Sequence, residues 1–126
     1  MLLIKTTTKQ SLIHGLGLFA DEDISKGTQI WKFSAGLDLE LKPEDFDKLT
    51  QYEKDFINFY GFRSKKTDSY HLSFDNVRFM NHSKEGNITI DQTASDIEYP
   101  LITLRDIKQG EELTQNYFEF DEDHIL

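Results

Sequence analysis

The apolar residues of this chain fall into short runs separated by glycine and polar turns, and this spacing constrains the fold more than any other feature. Most runs alternate apolar with polar residues, as half-buried β-strands do. We therefore predict strands over residues 2–6, 28–33, 37–41, 70–74, 87–90, 99–104 and 112–114. The pattern favours a mainly β fold with short helices.

Residues 43–60 form the one stretch with helical signals. Pro43 suits the first position of a helix. Thr50 and Glu53 form a capping box, so a second helix is predicted to begin there and to end at Gly61. We expect the apolar side chains of both helices to face the core rather than a cofactor: Phe46, Leu49, Tyr52, Phe56 and either Phe59 or Tyr60.

Length and composition indicate one folded domain over residues 1–126, with a helical insert at about 43–60 and a short tail over 118–126. Hydrophobic residues make up 37% and charged residues 29%, which favours a folded chain over a disordered one. The N-terminus lacks the pattern of a signal peptide, and no apolar run approaches the ~20 residues of a membrane span. We therefore expect a cytoplasmic protein that does not bind membranes.

Charge and residue types exclude several kinds of site. The formal net charge is −9, which repels nucleic-acid phosphates and attracts basic partners, although acidity can also serve solubility alone. The chain has no cysteine, which removes disulfides, thiol nucleophiles and thiolate zinc sites. Its histidines show no paired ligand spacing. We therefore expect no metal and no direct binding of nucleic acid.

A weak internal repeat relates two segments, Asp23–Ile30 and Asp106–Leu113. Both read Asp-Ile-x-x-Gly-x-x-aliphatic. This order predicts the end of a strand, a turn with a left-handed glycine, and the start of a new strand. Two copies are too few for a solenoid, so we interpret them as two similar corners of a small β-fold.

Two further motifs concentrate groups that could bind a ligand. The segment Arg78-Phe79-Met80-Asn81-His82-Ser83 places amide, imidazole and hydroxyl groups side by side, and an imidazole can hold a heteroaromatic ligand. Taken alone, Asn81-His82-Ser83 is more typical of a surface turn. Gly15-Leu16-Gly17 permits close backbone approach, or a simple bend between strands. It lacks the third glycine of a Rossmann fingerprint.

The order of these motifs resembles that of the SET-domain protein lysine methyltransferases. Three motifs carry the resemblance: Gly-Leu-Gly-Leu-Phe-Ala, then Arg-Phe-Met-Asn-His-Ser, then Gly-Glu-Glu-Leu-Thr-x-x-Tyr. Together they extend from about His14 to Tyr117. The resemblance implies a SET β-fold of small sheets with a C-terminal pseudoknot. It also implies a minimal domain without the zinc-binding flanking segments of many members.

The resemblance further implies S-adenosylmethionine as cofactor, with no metal. It makes Tyr117 the catalytic residue, and it assigns the cofactor to His14, Gly15, Leu16, Gly17, Arg78, Asn81, His82, Tyr117 and Phe118. An apolar lysine channel would involve Phe33, Tyr70, Phe74 and Phe79. The tail residues Phe118 and Phe120 would cover the cofactor or the channel, or else pack in the core.

The implied reaction methylates a lysine of a basic protein such as a histone. An apolar channel lowers the lysine pKa, so that a neutral amine can attack the methyl group. We expect the substrate to add as a strand near residues 70–74. The alternative is a catalytically impaired SET-fold module that binds basic peptides. The family commonly carries Phe or Tyr where this chain has Gln115, so the number of methyl groups is left open, as is the choice between monomer and homodimer.

Overall fold

The computed structural model describes residues 1–119 and 121–122, which form ten strands and two α-helices. The strands are β1 Thr6–Gln10, β2 Leu16–Ala20, β3 Gln29–Trp31, β4 Leu39–Leu41, β5 Phe62–Arg63, β6 Tyr70–Leu72, β7 Asn81–His82, β8 Ile88–Ile90, β9 Leu101–Thr103 and β10 Glu112–Gln115. The helices are α1 Pro43–Phe46 and α2 Gln51–Tyr60, and 3₁₀ turns cover Asn76–Phe79 and Tyr117–Glu119. The predicted mainly β fold with short helices is confirmed.

The last strand, β10, lies inside the larger sheet rather than at its edge. The strand order is β1-β2-β10-β8-β9-β3, and β7 also pairs with β10. β10 runs antiparallel to β2 but parallel to β7 and β8. A strand late in the chain is thus inserted among segments that precede it, an arrangement compatible with the predicted pseudoknot.

The Asn87 side chain ties the middle of β10 to the chain that leads into β8. Its amide nitrogen donates to the Glu112 carbonyl oxygen at 2.9 Å, and its oxygen accepts from the Thr114 N–H at 2.9 Å. Asn87 is only 4% exposed, so neither bond competes with water. The side chains packed around this junction are almost fully buried: Leu18, Ile30, Ile88, Ile107 and Leu113.

The two repeated segments form corners that pair with each other. Ile24 and Ile107 form an antiparallel bridge with two N–H···O bonds of 2.8 Å. The glycine of each corner is left-handed, with φ of 81° at Gly27 and 94° at Gly110, which a side chain would strain. The prediction of two similar corners is therefore confirmed.

The aspartate at the first position of each repeat accepts a hydrogen bond from the other repeat. The Asp23 carboxylate accepts from the Gln109 N–H at 2.9 Å, and the Asp106 carboxylate accepts from the Lys26 N–H at 2.8 Å. Each aspartate thus caps the turn of the opposite corner. This exchange holds β2 beside β10 and β3 beside β9, which sets the frame of the sheet.

The smaller sheet has the order β4-β6-β5. β6 is its central strand, paired with β4 over residues 39–41 and with β5 over residues 62–63. β5, however, pairs with β6 only at Tyr70 and His71, and neither β4 nor β5 pairs with residues 73–74. That a substrate adds as a strand near residues 70–74 therefore stays a prediction.

The N-terminal strand begins later than predicted. Residues 2–6 were expected to form it, but the ladder with β2 starts at Thr6. Leu2 makes an isolated bridge with Trp31, and the Leu3 N–H donates to the Ile30 carbonyl oxygen at 2.7 Å. The apolar residues before Lys5 therefore pack beside β3, whereas the threonines that follow form the hairpin.

Helix α2 has the predicted capping box but not the predicted buried face. Thr50 and Glu53 exchange both capping bonds, as expected. However, Tyr52 is 79% exposed and Phe59 69% exposed, whereas Ile57 is buried. The aromatic residues outnumber the aliphatic one, so periodicity alone selects the wrong side; the helix instead packs through Ile57.

No helix in the described part of the chain is both long and apolar enough to cross a membrane.

Replacing Asn87 with alanine tests the anchoring of β10. The change leaves a buried carbonyl oxygen and a buried N–H of β10 without partners, so we expect a loss of about 2–3 kcal/mol in the free energy of unfolding. Urea denaturation followed by tryptophan fluorescence measures it. Asn58→Ala, at an exposed position of α2, is the matched control and should change stability by less than about 0.5 kcal/mol. Similar values for the two variants would contradict this role of Asn87.

Candidate active site

The side chain of Asn81 joins the three sequence motifs. Its amide nitrogen donates to the carbonyl oxygens of His14 at 3.0 Å and Leu16 at 3.3 Å. The same nitrogen lies 3.0 Å from a carboxylate oxygen of Glu112. Asn81 is 8% exposed and pairs in parallel with Thr114 of β10. The glycine segment, the central segment and the C-terminal strand therefore meet at one amide.

Glu112 organises the same place, and sequence reasoning did not single it out as a site residue. Its carboxylate accepts from the Ser11 hydroxyl at 2.9 Å and from Asn81. A Cβ at position 17 would stand 2.6 Å from that carboxylate, so a side chain there would displace Glu112 from its hydrogen bonds. The available signal was its place in the motif Gly-Glu-Glu-Leu.

Tyr117 follows β10 directly and contacts the central motif. Its N–H donates to His82 Nδ1 at 3.1 Å, and the two rings lie 5.3 Å apart between centroids. The phenol hydroxyl donates to the carbonyl oxygen of Met80. The ring of Phe118 lies 5.8 Å from that of His82. Three of the predicted site residues, His82, Tyr117 and Phe118, are thus brought together; the predicted Phe120 lies outside the described residues.

Tyr117 keeps its proton over an unusually wide pH range. Burial, together with the negative charge of Asp121, raises the pKa of its phenol from 10.0 to about 12. The hydroxyl is therefore neutral at physiological pH and its proton is directed at Met80. Toward any bound group, the Tyr117 oxygen can act only as an acceptor.

A cavity of about 100 Å³ opens beside Tyr117. Aromatic side chains form much of its wall, including Phe33, Tyr60, Phe62 and Tyr99. The polar groups in its lining include His71, Glu98 and Gln115, which are each 2% exposed. A narrow, mostly apolar space that ends at a phenol suits a long aliphatic side chain with a polar head.

The predicted channel residues separate into two groups. Phe33 lines the cavity. Tyr70 does not line it; its ring stacks on Phe46 with centroids 3.8 Å apart. Phe74 is 64% exposed, and Phe79 packs edge-on against Tyr60 at 6.0 Å. Of these residues, only Phe33 is placed by the structure where it could touch a side chain in the cavity.

Comparison with known proteins places this geometry in a family. A family model described as SET domain matches residues 15–118, which includes all three motifs. The chain belongs to the SET-domain family. A protein of Debaryomyces hansenii named histone-lysine N-methyltransferase, H3 lysine-36 specific, is 31% identical over 88% of this chain. The human histone-lysine N-methyltransferase 2D is 27% identical over 90% of it.

The chain spans only a small part of these relatives, 16% of the yeast protein and 2% of the human one. Solved structures agree on the fold. A Plasmodium falciparum protein titled a candidate histone methyltransferase matches with a TM-score of 0.64 at 19% identity, over 92% of this chain and 95% of that one. Polycomb Repressive Complex 2 of Chaetomium thermophilum matches with a TM-score of 0.62 at 23% identity, over 93% of this chain and 15% of that one.

Gln115 contributes a polar side chain to the wall of the cavity. It stands two residues before Tyr117 and lines the cavity, and its amide nitrogen is buried without a hydrogen-bond partner among the described residues. A buried donor without a partner is costly, so an acceptor in the cavity would satisfy it. The motif identified position 115 as one of interest, but only the structure shows that the Gln115 amide lies in the cavity wall.

Asp38, a buried acid in the cavity lining of this SET domain, accepts several hydrogen bonds. Burial by itself raises the pKa of the Asp38 carboxyl. Hydrogen bonds from the N–H groups of Phe74 and Ser34 and from other donors have a larger, opposite effect, so the pKa lies below its ordinary value. The two N–H bonds measure 3.0 and 2.8 Å, and the Ser73 hydroxyl donates at 2.9 Å. Asp38 is therefore ionised and fully engaged.

Among the described residues, no three side chains of the metal-ligating types are grouped so that they could hold a metal ion. The site of this SET domain consists instead of two parts. One part is polar and lies around Asn81 and Glu112, and the other is the aromatic cavity. Tyr117 stands at the cavity and contacts His82.

The raised pKa of Tyr117 predicts a loss of stability in alkali. The unfolded phenol ionises near pH 10 and the folded one near pH 12, so its contribution is complete below pH 10 and is lost as the pH rises toward 12. We expect the stability difference between wild type and Tyr117→Phe to fall by about 1 kcal/mol between about pH 9 and pH 11. Urea titrations at both pH values measure it. Tyr52→Phe, at an exposed tyrosine, should show no such fall; a fall of equal size there would refute the assignment.

Proposed function

We propose that this SET domain is a protein-lysine N-methyltransferase that uses S-adenosylmethionine to methylate a lysine of a basic protein such as a histone. The observation that carries the proposal is the meeting of the glycine segment, Asn81-His82 and Tyr117 beside an apolar cavity. Cofactor, substrate and chemistry each require one part of this arrangement. Two of the relatives are named as histone-lysine N-methyltransferases, which supports the same activity.

The residues around the glycine segment suit the proposed cofactor. Gly15 has φ of 43° with no atom near its absent side chain, so the backbone is open to a ligand there. Arg78 Nε is buried without a hydrogen-bond partner among the described residues, and a polar ligand group could satisfy it. We propose that Gly15, Leu16, Gly17 and His14 contact the cofactor through backbone groups, together with Arg78, Asn81, His82 and Phe118. When bound, S-adenosylmethionine supplies an activated methyl group on a sulfonium.

The cavity residues would prepare the lysine. In water the lysine ammonium has a pKa of about 10.4 and its nitrogen has no free lone pair. Aromatic walls such as Phe33, Phe62 and Tyr99 disfavour the ammonium and favour the neutral amine. They also exclude water and hold the aliphatic stem, so that the amine is confined near Tyr117.

Tyr117 would position the reacting groups rather than exchange a proton. Its pKa of about 12 keeps the phenol neutral, and its proton is directed at the Met80 carbonyl oxygen. The phenolic oxygen therefore presents only acceptor lone pairs. Such an oxygen can orient an amine N–H, or a polarised methyl group through weak C–H···O contacts.

The charge of the chain favours a basic substrate. The net charge of −9 would steer a lysine-rich segment toward the site. The Debaryomyces relative is named for lysine 36 of histone H3, which makes H3 the first substrate to test. The experiment incubates the protein with methyl-labelled S-adenosylmethionine and either core histones, H3 peptides or a cell lysate, and locates the label by mass spectrometry.

The competing function is a SET-fold module that binds basic peptides without catalysis. Calorimetry separates the two functions, because a module of that kind need not bind S-adenosylmethionine. Binding of H3 peptides without binding of the cofactor and without label transfer would replace the proposed function by this one.

Asn81→Ala tests the cofactor site. The change removes the amide that holds the His14 and Leu16 carbonyl groups, so we expect the affinity for S-adenosylmethionine to fall about tenfold or more. Isothermal titration calorimetry measures it. Asn58→Ala is the control at an exposed position and should bind like wild type. Unaltered affinity in Asn81→Ala would make the central motif purely structural.

Tyr117→Phe tests the chemistry. Loss of the phenolic oxygen removes the acceptor, and we expect kcat to fall about 10²-fold or more while cofactor affinity stays within about twofold. The control is Tyr52→Phe, which alters an exposed phenol and should keep full turnover. Full turnover by Tyr117→Phe would take Tyr117 out of the reaction.

A further inference from the structure

A row of three side chains leads from the cavity to the surface and has no part in the function described so far. His71 Nδ1 lies 2.8 Å from a carboxylate oxygen of Glu98, and His71 Nε2 lies 3.3 Å from a carboxylate oxygen of Glu40. The side chains of His71 and Glu98 are each 3% exposed, whereas that of Glu40 is 35% exposed. The row therefore has one buried end and one end in contact with water.

The buried end of the row belongs to the wall of the cavity. His71 and Glu98 line the same space as Tyr117. The Glu98 carboxylate accepts only one well-aligned hydrogen bond among the described residues, from the Tyr99 N–H at 2.9 Å. Its other oxygen lies 2.8 Å from His71 Nδ1 without a well-aligned hydrogen bond to it, so it can turn toward a group in the cavity.

The other groups packed on His71 leave this row as the route for a proton. The Thr67 hydroxyl lies 3.2 Å from Nε2, and the rings of Phe33 and Phe62 lie 5.5 and 5.7 Å from the imidazole. Asp38 also lines the cavity, but its lone pairs are engaged by several donors. The acids that face His71 in the described structure are Glu98 on one side and Glu40 on the other.

The proposed reaction requires the lysine ammonium to lose a proton inside a mostly apolar cavity. Lysine enters mostly as an ammonium, because its pKa is about 10.4. An apolar wall destabilises the ammonium and so lowers its pKa, but it offers no acceptor for the released proton. A buried acid and an imidazole are costly to keep in such a wall unless they serve a purpose there.

We propose that Glu98, His71 and Glu40 carry the proton of the target lysine from the cavity to solvent. This proposal rests on the proposed methyltransferase function. An N–H bond of the ammonium breaks, and its electron pair stays on the amine. The proton passes by way of the Glu98 carboxylate to the lone pair of His71 Nδ1, and the resulting imidazolium releases its Nε2 proton to Glu40 and water. This leaves the imidazole with its proton on Nδ1. After the product has left, water in the cavity takes the Nδ1 proton while Glu40 returns one from solvent to Nε2, which restores the starting tautomer. The net change over the cycle is one ammonium converted to one amine and one proton in solvent.

Two peptides separate proton transfer from a structural role. The first is the histone H3 peptide with the highest turnover in the labelling experiment. The second is the same peptide with an aminooxy side chain in place of the target lysine, which is already neutral at pH 7. Only the first requires removal of a proton before methyl transfer.

We expect Glu98→Gln to lower kcat/KM for the lysine peptide by about 10²-fold at pH 7. The same variant should act on the aminooxy peptide within about threefold of wild type, because general-base assistance is not needed there. The defect with lysine should shrink as the pH approaches about 10, where free amine becomes abundant. Glu40→Gln, at the partly exposed end, should show the same pattern with a smaller loss, of about tenfold.

Glu44→Gln is the control, since it makes the same change of charge at an exposed position of α1. Fluorescence of Trp31 and urea midpoints report whether each variant is folded; if Glu98→Gln does not fold, Glu40→Gln still decides. Equal losses on both peptides, or no loss on either, would overturn the proton path and leave the methyltransferase function standing. Absence of label transfer from the wild-type protein to core histones, H3 peptides and lysate proteins alike would overturn both proposals. A selective defect at Asp121→Asn, with none at Glu98→Gln, would overturn the path through Glu98 in favour of Asp121, which also lines the cavity.

Discussion

The structure depends on the insertion of β10 between β2 and the pair β7 and β8. A strand in that position must satisfy backbone groups on both sides, and it does so with antiparallel partners on one side and parallel partners on the other. Asn87 supplies the bonds where the ladder alone does not suffice. Because β10 carries Glu112, Gln115 and, just beyond, Tyr117, its insertion also assembles the site.

The two halves of the site follow different physical rules. Around Asn81, polar groups satisfy one another: a single amide holds two carbonyl oxygens and contacts a carboxylate. In the cavity, aromatic walls surround a few buried polar atoms, and some of these, such as the Gln115 amide nitrogen, have no partner among the described residues. The first half is rigid by mutual hydrogen bonding. The second half leaves polar groups directed at a space that a substrate can fill.

Much of the site followed from motifs, and the remainder required distances across the fold. The glycine segment, Asn81-His82 and Tyr117 were identified from their order along the chain, and the structure brings them together. Phe33 lines the cavity, whereas Tyr70, Phe74 and Phe79 lie elsewhere, because ring position depends on how strands twist past one another. His71 and Glu98 had no signal in the sequence: they are separated by a long segment, and only packing sets them 2.8 Å apart.

The sequence by itself determined the fold class, the corners and the chemistry of the motifs, because these depend on local preferences. Alternating apolar residues make strands, an aspartate and a glycine at fixed spacing make a corner, and Thr50 with Glu53 starts a helix. Tertiary structure alone decided which face of α2 is buried, that β6 is the central strand of the smaller sheet, and which acids border the cavity. Each of these depends on contacts between residues far apart in the chain, and local sequence carries no information on which distant segment will be the neighbour.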